Sequence, residues 1–311
     1  MKKCRIGSGA IMGLALLLSA CSSNDLDEHA LNGDVRQLIV SAKDFVIDES
    51  DVSSRTNIDP SKGFSWASND TIGIFPEKGD QLPFAMASGT GTKVAFITGG
   101  SWGLKTSQKY ASYYPFSRQN YFTDRANILF SYVGQEQTGD NSTEHLGAYD
   151  LMSADNAEAD GDNLNFSFVH LGCILRMYVT VPNAGTYSSL TLSVDEKAFA
   201  SKVKLDLTKT PAELTAVESS KTITLSLKDF TTPSDNYQTT LFLITVPFDL
   251  AGKTITLKLK SANGYIYSGT FSPSKAYVAQ MMYNLRFTSL TKDSAPSIGI
   301  GGEFETSDEE M

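Results

Sequence analysis

The stretch that decides the fold is Ile255-Thr256-Leu257-Lys258-Leu259-Lys260, in which apolar and polar side chains alternate strictly. Alternation with a period of two places one set of side chains in a core and the other in water, which is typical of antiparallel sandwich sheets. Asn263-Gly264 follows this stretch and precedes Tyr265-Ile266-Tyr267. An Asn-Gly pair between two such runs predicts a hairpin with a type I′ turn.

Similar alternation recurs at residues 190–194 and 223–227, and a last strand is expected over 277–287. The first half offers shorter β-branched and aromatic runs, separated by turns rich in Gly, Asn, Asp, Ser and Pro. These runs are 38–40, 45–47, 71–75, 94–98, 110–114 and 128–133. No helical periodicity is sustained over three turns. The spacing predicts an all-β chain of two tandem antiparallel β-sandwiches.

The start of the chain has the three parts of a signal peptide. Lys2, Lys3 and Arg5 come first, an apolar run covers 11–18, and Leu18-Ser19-Ala20-Cys21 closes it. This ending resembles the bacterial lipobox, in which the cysteine is acylated and becomes the mature N-terminus. The apolar run is too short for a membrane span, which takes about 20 residues. The alternative is an ordinary cleaved signal that leaves Cys21 as a free thiol.

Charge and cysteine content restrict the function further. The 311 residues carry 26 basic and 35 acidic side chains, and the signal contains three of the basic ones. The mature chain therefore keeps 23 basic side chains and a net charge near −12. This balance argues against nucleic acid or an anionic membrane surface as a partner. Cys4 leaves with the signal and Cys21 is acylated, so Cys173 has no disulfide partner and stability must come from apolar cores.

Composition divides the chain into five parts. Residues 1–20 form the signal, 21–35 an acidic tether, 36–158 an N-terminal sandwich, 159–290 a C-terminal sandwich, and 291–311 an acidic tail. The boundary between the sandwiches rests on the acidic, small-residue run 153–163. Acidic residues behind an acylated cysteine also resemble the surface-export signal of lipoproteins in gut and oral Gram-negative anaerobes, with a plain spacer as the alternative. We expect a disordered tail, and a strand laid on another subunit is its alternative.

No motif for catalysis or for a cofactor is found in the chain. It lacks His-Glu-x-x-His and paired Cys-x-x-Cys, and His170 lies on an apolar strand as a structural histidine would. The loop around Gly161 places Ser167, and not Glu, at the closing position of a calcium-binding EF-hand. The sequence thus predicts a protein that is not an enzyme and has no metal or cofactor. A carboxylate pair of a glycan-processing enzyme is the open alternative.

Two tryptophans are candidates for stacking on sugar rings. Trp66 stands just before a predicted strand, and Trp102 follows Gly99-Gly100. Aromatic side chains at such places also fill the ends of sandwich cores, which is the alternative. A surface lipoprotein that binds glycans and does not polymerise is therefore the rival function.

Several strings, in this order, resemble the fimbrillin family, which supplies subunits of surface fimbriae in gut and oral Gram-negative anaerobes. The similarity spans roughly residues 36–290. The strings are Ser54-Arg55-Thr56, Trp66, Asn69-Asp70-Thr71-Ile72-Gly73-Ile74-Phe75, Tyr113-Tyr114-Pro115-Phe116, Asp150-Leu151-Met152-Ser153-Ala154, Phe168-Val169-His170-Leu171 and Ala276-Tyr277 with Tyr283-Asn284-Leu285.

The resemblance implies two transthyretin-like β-sandwiches and an exported lipoprotein on the outer membrane. In shaft members of the family a trypsin-like protease cuts after an arginine, and a strand from a neighbouring subunit fills the groove that is opened. Arg36 and Arg55 are the candidate cleavage sites here. If neither is cut, the protein stays anchored at Cys21 as an anchor or accessory member. Implied partners are other subunits, the outer membrane, and host glycans or proteins. Ser294 resembles an O-glycosylation site.

Overall fold

A computed structural model describes residues 37–48, 65–67, 70–77, 80–86, 93–97, 104–157, 159–160 and 163–293. In these residues the regular secondary structure is almost entirely β-strand, with one four-residue α-helix, α1 (Leu146–Tyr149), and a 3-10 turn at Arg118–Asn120. The prediction of an all-β chain is confirmed. Among these residues, no helix has the length and apolarity that crossing a membrane requires.

The strands in chain order are β1 (Gln37–Ala42), β2 (Val46–Asp48), β3 (Thr71–Pro76), β4 (Leu82–Ala85), β5 (Lys93–Ile97), β6 (Tyr110–Tyr114), β7 (Ile128–Ser131), β8 (Glu136–Thr138), β9 (Met152–Ala157), β10 (Ala159–Asp160), β11 (Asn163–His170), β12 (Cys173–Val181), β13 (Gly185–Ser193), β14 (Phe199–Asp206), β15 (Glu213–Ser220), β16 (Thr222–Lys228), β17 (Thr231–Thr232), β18 (Tyr237–Thr245), β19 (Ile255–Ser261), β20 (Ile266–Phe271), β21 (Met281–Phe287) and β22 (Thr291–Lys292).

Hydrogen bonding arranges these strands in four sheets. The first sheet has the order β4-β3-β6-β9-β11-β1-β5, with β10 paired to β11. A four-stranded sheet has the order β18-β12-β21-β2, and a seven-stranded sheet has the order β22-β20-β19-β13-β16-β8, with β17 paired to β13. The fourth sheet is β15-β14-β7.

The four-stranded and seven-stranded sheets pack face to face, and we call this unit the C-terminal sandwich. Ile255, Leu257 and Leu259 are fully buried on β19, while Lys258 is exposed between them. Their side chains meet those of β12, such as Leu175 and Met177, in one core cluster. Burying an aliphatic side chain of this size stabilises the fold by about 1.5–3 kcal/mol, so the alternation predicted from sequence accounts for this core.

The hairpin at Asn263-Gly264 is confirmed, but its predicted turn type is wrong. A type I′ turn needs positive φ at both central residues, whereas here only Gly264 has one, at +90°. The Gly264 N–H donates to the Ser261 carbonyl (3.0 Å), and the Ser261 N–H donates to the Tyr265 carbonyl (2.8 Å). The Ser261 hydroxyl also bonds to Asn263 Oδ1 (2.6 Å), which fixes the asparagine side chain in this longer loop.

The first sheet buries one face in a second cluster that includes Leu38, Val40, Ile72, Phe166 and Phe168. Its central strand β6 is buried at all five positions, so its other face is covered as well. That other face belongs to a third cluster, which we call the shared cluster because it also contains residues of β12, β14 and β18. The two halves of the chain are therefore joined through apolar packing.

The predicted boundary at 158/159 falls between two strands that pair with β11 in the first sheet. β9 pairs with β11, and β10 also pairs with β11 in antiparallel fashion, with Asp160 opposite Asn163. The described part of the acidic, small-residue run thus lies in paired strands, and its Ser153 and Ala154 are buried in β9. Strands also cross over, since β7 pairs with β14, β8 with β16, and β2 with β21. The first sheet extends to His170.

Candidate assembly site at residues 37–48

Residues 37–48, which we call the N-terminal segment, contribute one strand to each half of the molecule. β1 lies inside the first sheet, parallel to β11 and antiparallel to β5. Because both edges of β1 are paired, its backbone N–H and C=O groups are used on both sides. β1 therefore completes the sheet from within.

Alternate side chains of β1 enter the core. Leu38 and Val40 are fully buried, and Ala42 is 9% exposed. They belong to the same cluster as Phe166 and Phe168 of the neighbouring strand β11. A side-chain hydrogen bond also joins β1 to β11, because the Ser41 hydroxyl donates to the Phe166 carbonyl at 3.3 Å.

A buried histidine fastens the chain directly after β1. His170 Nε2 donates to the Lys43 carbonyl at 2.5 Å, and His170 Nδ1 lies 2.8 Å from an Asp150 carboxylate oxygen. A carbonyl can only accept, so Nε2 carries a hydrogen and one further proton lies between Nδ1 and the carboxylate. Burial raises the pKa of Asp150, and the contact with His170 opposes that rise. The Phe45 ring stacks on the imidazole with centroids 3.9 Å apart.

The segment then crosses to the C-terminal sandwich. β2 pairs in parallel with β21 at the edge of the four-stranded sheet. The Val46 N–H donates to the Gln280 carbonyl (2.8 Å), and the Gln280 N–H donates to the Gly172 carbonyl (2.9 Å). A single stretch of 12 residues is thus bonded to both halves.

Loss of the N-terminal segment would open a groove between β11 and β5. The apolar faces of Phe166 and Phe168 would meet water, and the backbone groups facing β1 would lose their partners. His170 would lose the acceptor of its Nε2–H. A strand with alternating apolar residues could restore all three kinds of contact, so the geometry suits strand replacement.

Most of the predicted site residues lie outside the described residues. These are the acylation candidate Cys21, the cleavage candidates Arg36 and Arg55, the stacking candidate Trp102, and Ser294. By sequence, Arg36 immediately precedes β1 and Arg55 follows β2. A cut after Arg36 would therefore spare both strands, whereas a cut after Arg55 would release both.

Trp66 is described, and its predicted glycan-stacking role is wrong. The side chain is 3% exposed and makes T-shaped contacts with Tyr114 and Phe168, with centroid distances of 5.2 Å and 5.6 Å. A side chain buried to this extent has no face open to a sugar, and the alternative of core filling describes this residue. Among the tyrosines of the first half, Tyr110, Tyr113 and Tyr114 are also buried, and Tyr121 is 39% exposed.

His170 lies where the sequence predicts a structural histidine, but the sequence pattern does not identify its partners. Asp150 is 20 residues away and enters the prediction only through a family string. A histidine within an apolar strand, together with an aspartate directly before another strand, is the sequence signal that could have predicted this buried pair. Among the described residues no group of three or more His, Cys, Asp or Glu side chains could hold a metal ion. Cys173 is free, and burial raises its pKa to about 12.

A crystal structure of a proposed cell-adhesion protein from Bacteroides uniformis shares this fold. It aligns with a TM-score of 0.52 and 14% identity over 84% of this chain and 97% of that chain. The structural neighbours are fimbrial and adhesion proteins. At 14% identity this likeness shows a shared fold, and it is consistent with the resemblance to the fimbrillin family.

Two further neighbours have lower TM-scores. A proposed cell-adhesion protein from Bacteroides ovatus aligns at 0.47 with 16% identity, covering 84% of this chain and 96% of that chain. The tip fimbrial protein Mfa3 from Porphyromonas gingivalis aligns at 0.37 with 10% identity, covering 84% of this chain and 98% of that chain. No family description and no curated protein matches the sequence.

Proposed function

We propose that this chain is a structural and adhesive subunit of cell-surface fimbriae, carried to the outer membrane as a lipoprotein acylated on Cys21. The observation that carries the proposal is the position of β1, which is paired on both edges inside the first sheet and is followed by residues bonded to the second half. Such a strand can be exchanged only after the chain is cut. Other subunits of the same kind are its main partners.

The assembly step that we propose is cleavage after Arg55 and replacement of the N-terminal segment by a strand from a neighbouring subunit. β1 contributes six residues, and each main-chain hydrogen bond that a donor restores would stabilise the complex by about 0.5–1.5 kcal/mol. Burial of the donor's apolar side chains against Phe166 and Phe168 would stabilise the complex further. Cleavage after Arg36 would instead release the anchor and keep β1 in place.

We also propose that the fold corresponds to two transthyretin-like units. The first sheet with its cluster is one unit, and the C-terminal sandwich is the other. The junction would then lie after His170 and not at 158/159. The shared cluster and the crossing strands would hold the two units together in a fibre.

The cleavage proposal can be tested with purified protein and an arginine-specific protease. We expect the wild type and Arg36→Gln to lose the N-terminal segment and to form an SDS-resistant ladder, while Arg55→Gln stays monomeric. Mass spectrometry identifies the released peptide. A ladder from Arg55→Gln, or release of the segment with no ladder from the wild type, would overturn strand exchange after this cut.

The anchor is tested separately by labelling growing cells with a clickable fatty acid. We expect the wild type and Cys173→Ser to be labelled and Cys21→Ser to be unlabelled. Cys173 is the matched control because its thiol is buried and largely protonated at neutral pH. Label on Cys21→Ser would contradict acylation at Cys21.

A further inference from the structure

A cleft of about 1100 Å³ opens beside the N-terminal segment, on the face of the four-stranded sheet that is turned away from the sandwich core. Small-molecule sites in proteins commonly have about 300–1,000 Å³, so the cleft is large enough for a whole ligand. Its walls come from the segment, from the loop that contains α1, and from β12, β18 and β21.

The walls of the cleft are mainly apolar. Aromatic rings come from three directions, and aliphatic side chains of the sheet form the floor. The residues concerned are Phe45, Phe116, Phe242, Ile174, Ile244 and Met282. Such walls favour a ligand with an apolar body, since burial of apolar area is the dominant favourable term in binding.

One cation lies among these apolar groups. The Arg176 guanidinium carbon is 5.0 Å from the centre of the Tyr178 ring and 5.9 Å from that of Phe242. In the part of the chain that the structure describes, Arg176 forms no ion pair, and its buried Nε has no hydrogen-bond acceptor. A buried donor without an acceptor is costly, and a carboxylate is the group that fits a guanidinium best.

The acidic residues on the cleft limit how much negative charge it can take. Asp150 is paired with His170, and Asp70 accepts from the Tyr114 hydroxyl at 2.8 Å. Asp44 and Glu144 also line the cleft and are exposed. These charges would repel a polyanion such as a phosphate ester or an acidic peptide. A ligand with one carboxylate and an uncharged body avoids most of that repulsion.

We propose that this cleft binds an amphipathic monocarboxylic acid of the fatty-acid class, whose carboxylate pairs with Arg176 and whose apolar body lies against Phe242, Phe116 and the sheet. The proposal does not depend on strand exchange, because the cleft belongs to the uncut chain. Cutting the chain after Arg55 would remove Phe45 and Ile47 from one wall.

Isothermal titration of the full-length uncut protein with decanoate tests the site, with decanol as the uncharged analogue. We expect one decanoate per chain and at least tenfold weaker binding of decanol. Arg176→Gln should weaken decanoate at least tenfold and leave decanol unchanged. Lys258→Gln, which removes an exposed charge on β19, is the matched control and should bind as the wild type does.

A second variant fills the cleft without altering charge. Thr240 lines the cleft, and Thr240→Phe should weaken both decanoate and decanol at least tenfold while its circular dichroism stays that of the wild type. The proposal is overturned if decanoate does not bind, if decanol binds equally well, or if a folded Arg176→Gln binds decanoate as the wild type does. It is also overturned if decanoate binds only to a chain ending at Asp293, because the cleft would then be occupied by the acidic tail.

Discussion

In the C-terminal sandwich, buried and exposed side chains alternate along β16 and β19, whereas in the first sheet β6 is buried on both faces. The buried polar side chains of the sandwich, such as Thr245 and Asn284, are uncharged, while the first half contains the buried pair Asp150 and His170. The sandwich is complete without the N-terminal segment except at one edge. The first sheet has that segment at an internal position.

This difference indicates which half of the molecule depends on the N-terminal segment. Many strands share the core of the sandwich, and the N-terminal segment is bonded to it only at one edge. In the first sheet β1 lies between two paired neighbours, and His170 bonds to the carbonyl directly after it. Removal of the segment is therefore expected to open the first sheet and to leave the sandwich core in place.

The largest expected effect is that of His170→Leu. The change leaves the Asp150 carboxylate buried without its partner and removes the bond to the Lys43 carbonyl, so we expect a loss of about 3–5 kcal/mol in the free energy of unfolding. Urea denaturation measures it. The double variant with Asp150→Leu should recover part of the loss, because no buried charge remains.

Leu257→Ala is the matched control in the C-terminal sandwich. The variant should also lose about 2–5 kcal/mol in the free energy of unfolding, because the substitution leaves a cavity in a tightly packed core. At equal residual stability, however, cleavage after Arg55 should be faster in His170→Leu only. Equal acceleration in both variants would show that His170 does not fasten the segment.

The next largest expected effect is a loss of stability at a glycine, which should differ between Gly73 in the first sheet and Gly269 in the C-terminal sandwich. A Cβ on Gly73 would lie 2.3 Å from Cε1 of the buried Tyr113 ring, whereas a Cβ on Gly269 would lie 2.7 Å from the end of the flexible Leu290 side chain. We expect Gly73→Ala to cost about 1–3 kcal/mol and Gly269→Ala clearly less. Thermal unfolding measures both. Equal losses would mean that the first sheet can repack as freely as the sandwich.

Alternation explains why the sequence predicted the sandwich well. β13, β16 and β19 expose one face, so their period of two is visible. β18 was missed because residues 241–245 are buried on both faces, and β15 because most of it is exposed and polar. Neither strand therefore alternates between apolar and polar residues, although both are well formed in the structure.

The candidate site was only partly predictable. The strand at 38–40 was expected, but its place between β11 and β5 depends on pairing with residues more than 120 positions away. No local pattern encodes such a pairing. The acidic run 153–163 has the composition of a linker, but its described residues lie in paired strands, because composition indicates solvent exposure and not which strands are neighbours.

A smaller effect concerns His145, in the loop beside the cleft. Burial lowers its pKa below the ordinary 6.5, while its Nε2–H donates to the Phe242 carbonyl at 3.0 Å. As the pH falls below about 6.5, the unfolded state gains a proton that the folded state does not, so stability falls with pH. The slope of this contribution is at most about 1.4 kcal/mol per pH unit. His145→Gln should therefore weaken the dependence of the free energy of unfolding on pH between pH 7 and 5. The same dependence in His145→Gln and in the wild type would contradict the lowered pKa.

The smallest effect separates a hydroxyl that has a partner from one that has none. The Tyr132 hydroxyl is buried in the shared cluster without a hydrogen-bond partner among the described residues, whereas the Tyr187 hydroxyl donates to the Asn183 carbonyl at 2.8 Å in the sandwich. Tyr187→Phe should cost about 0.5–1.5 kcal/mol. Tyr132→Phe should leave the free energy of unfolding unchanged or raise it slightly, because burial of the hydroxyl is unfavourable when no hydrogen bond compensates for the lost water. A loss in Tyr132→Phe as large as that in Tyr187→Phe, measured by urea denaturation, would show that the hydroxyl has a partner such as an internal water, and that the shared cluster is more polar than its side chains indicate.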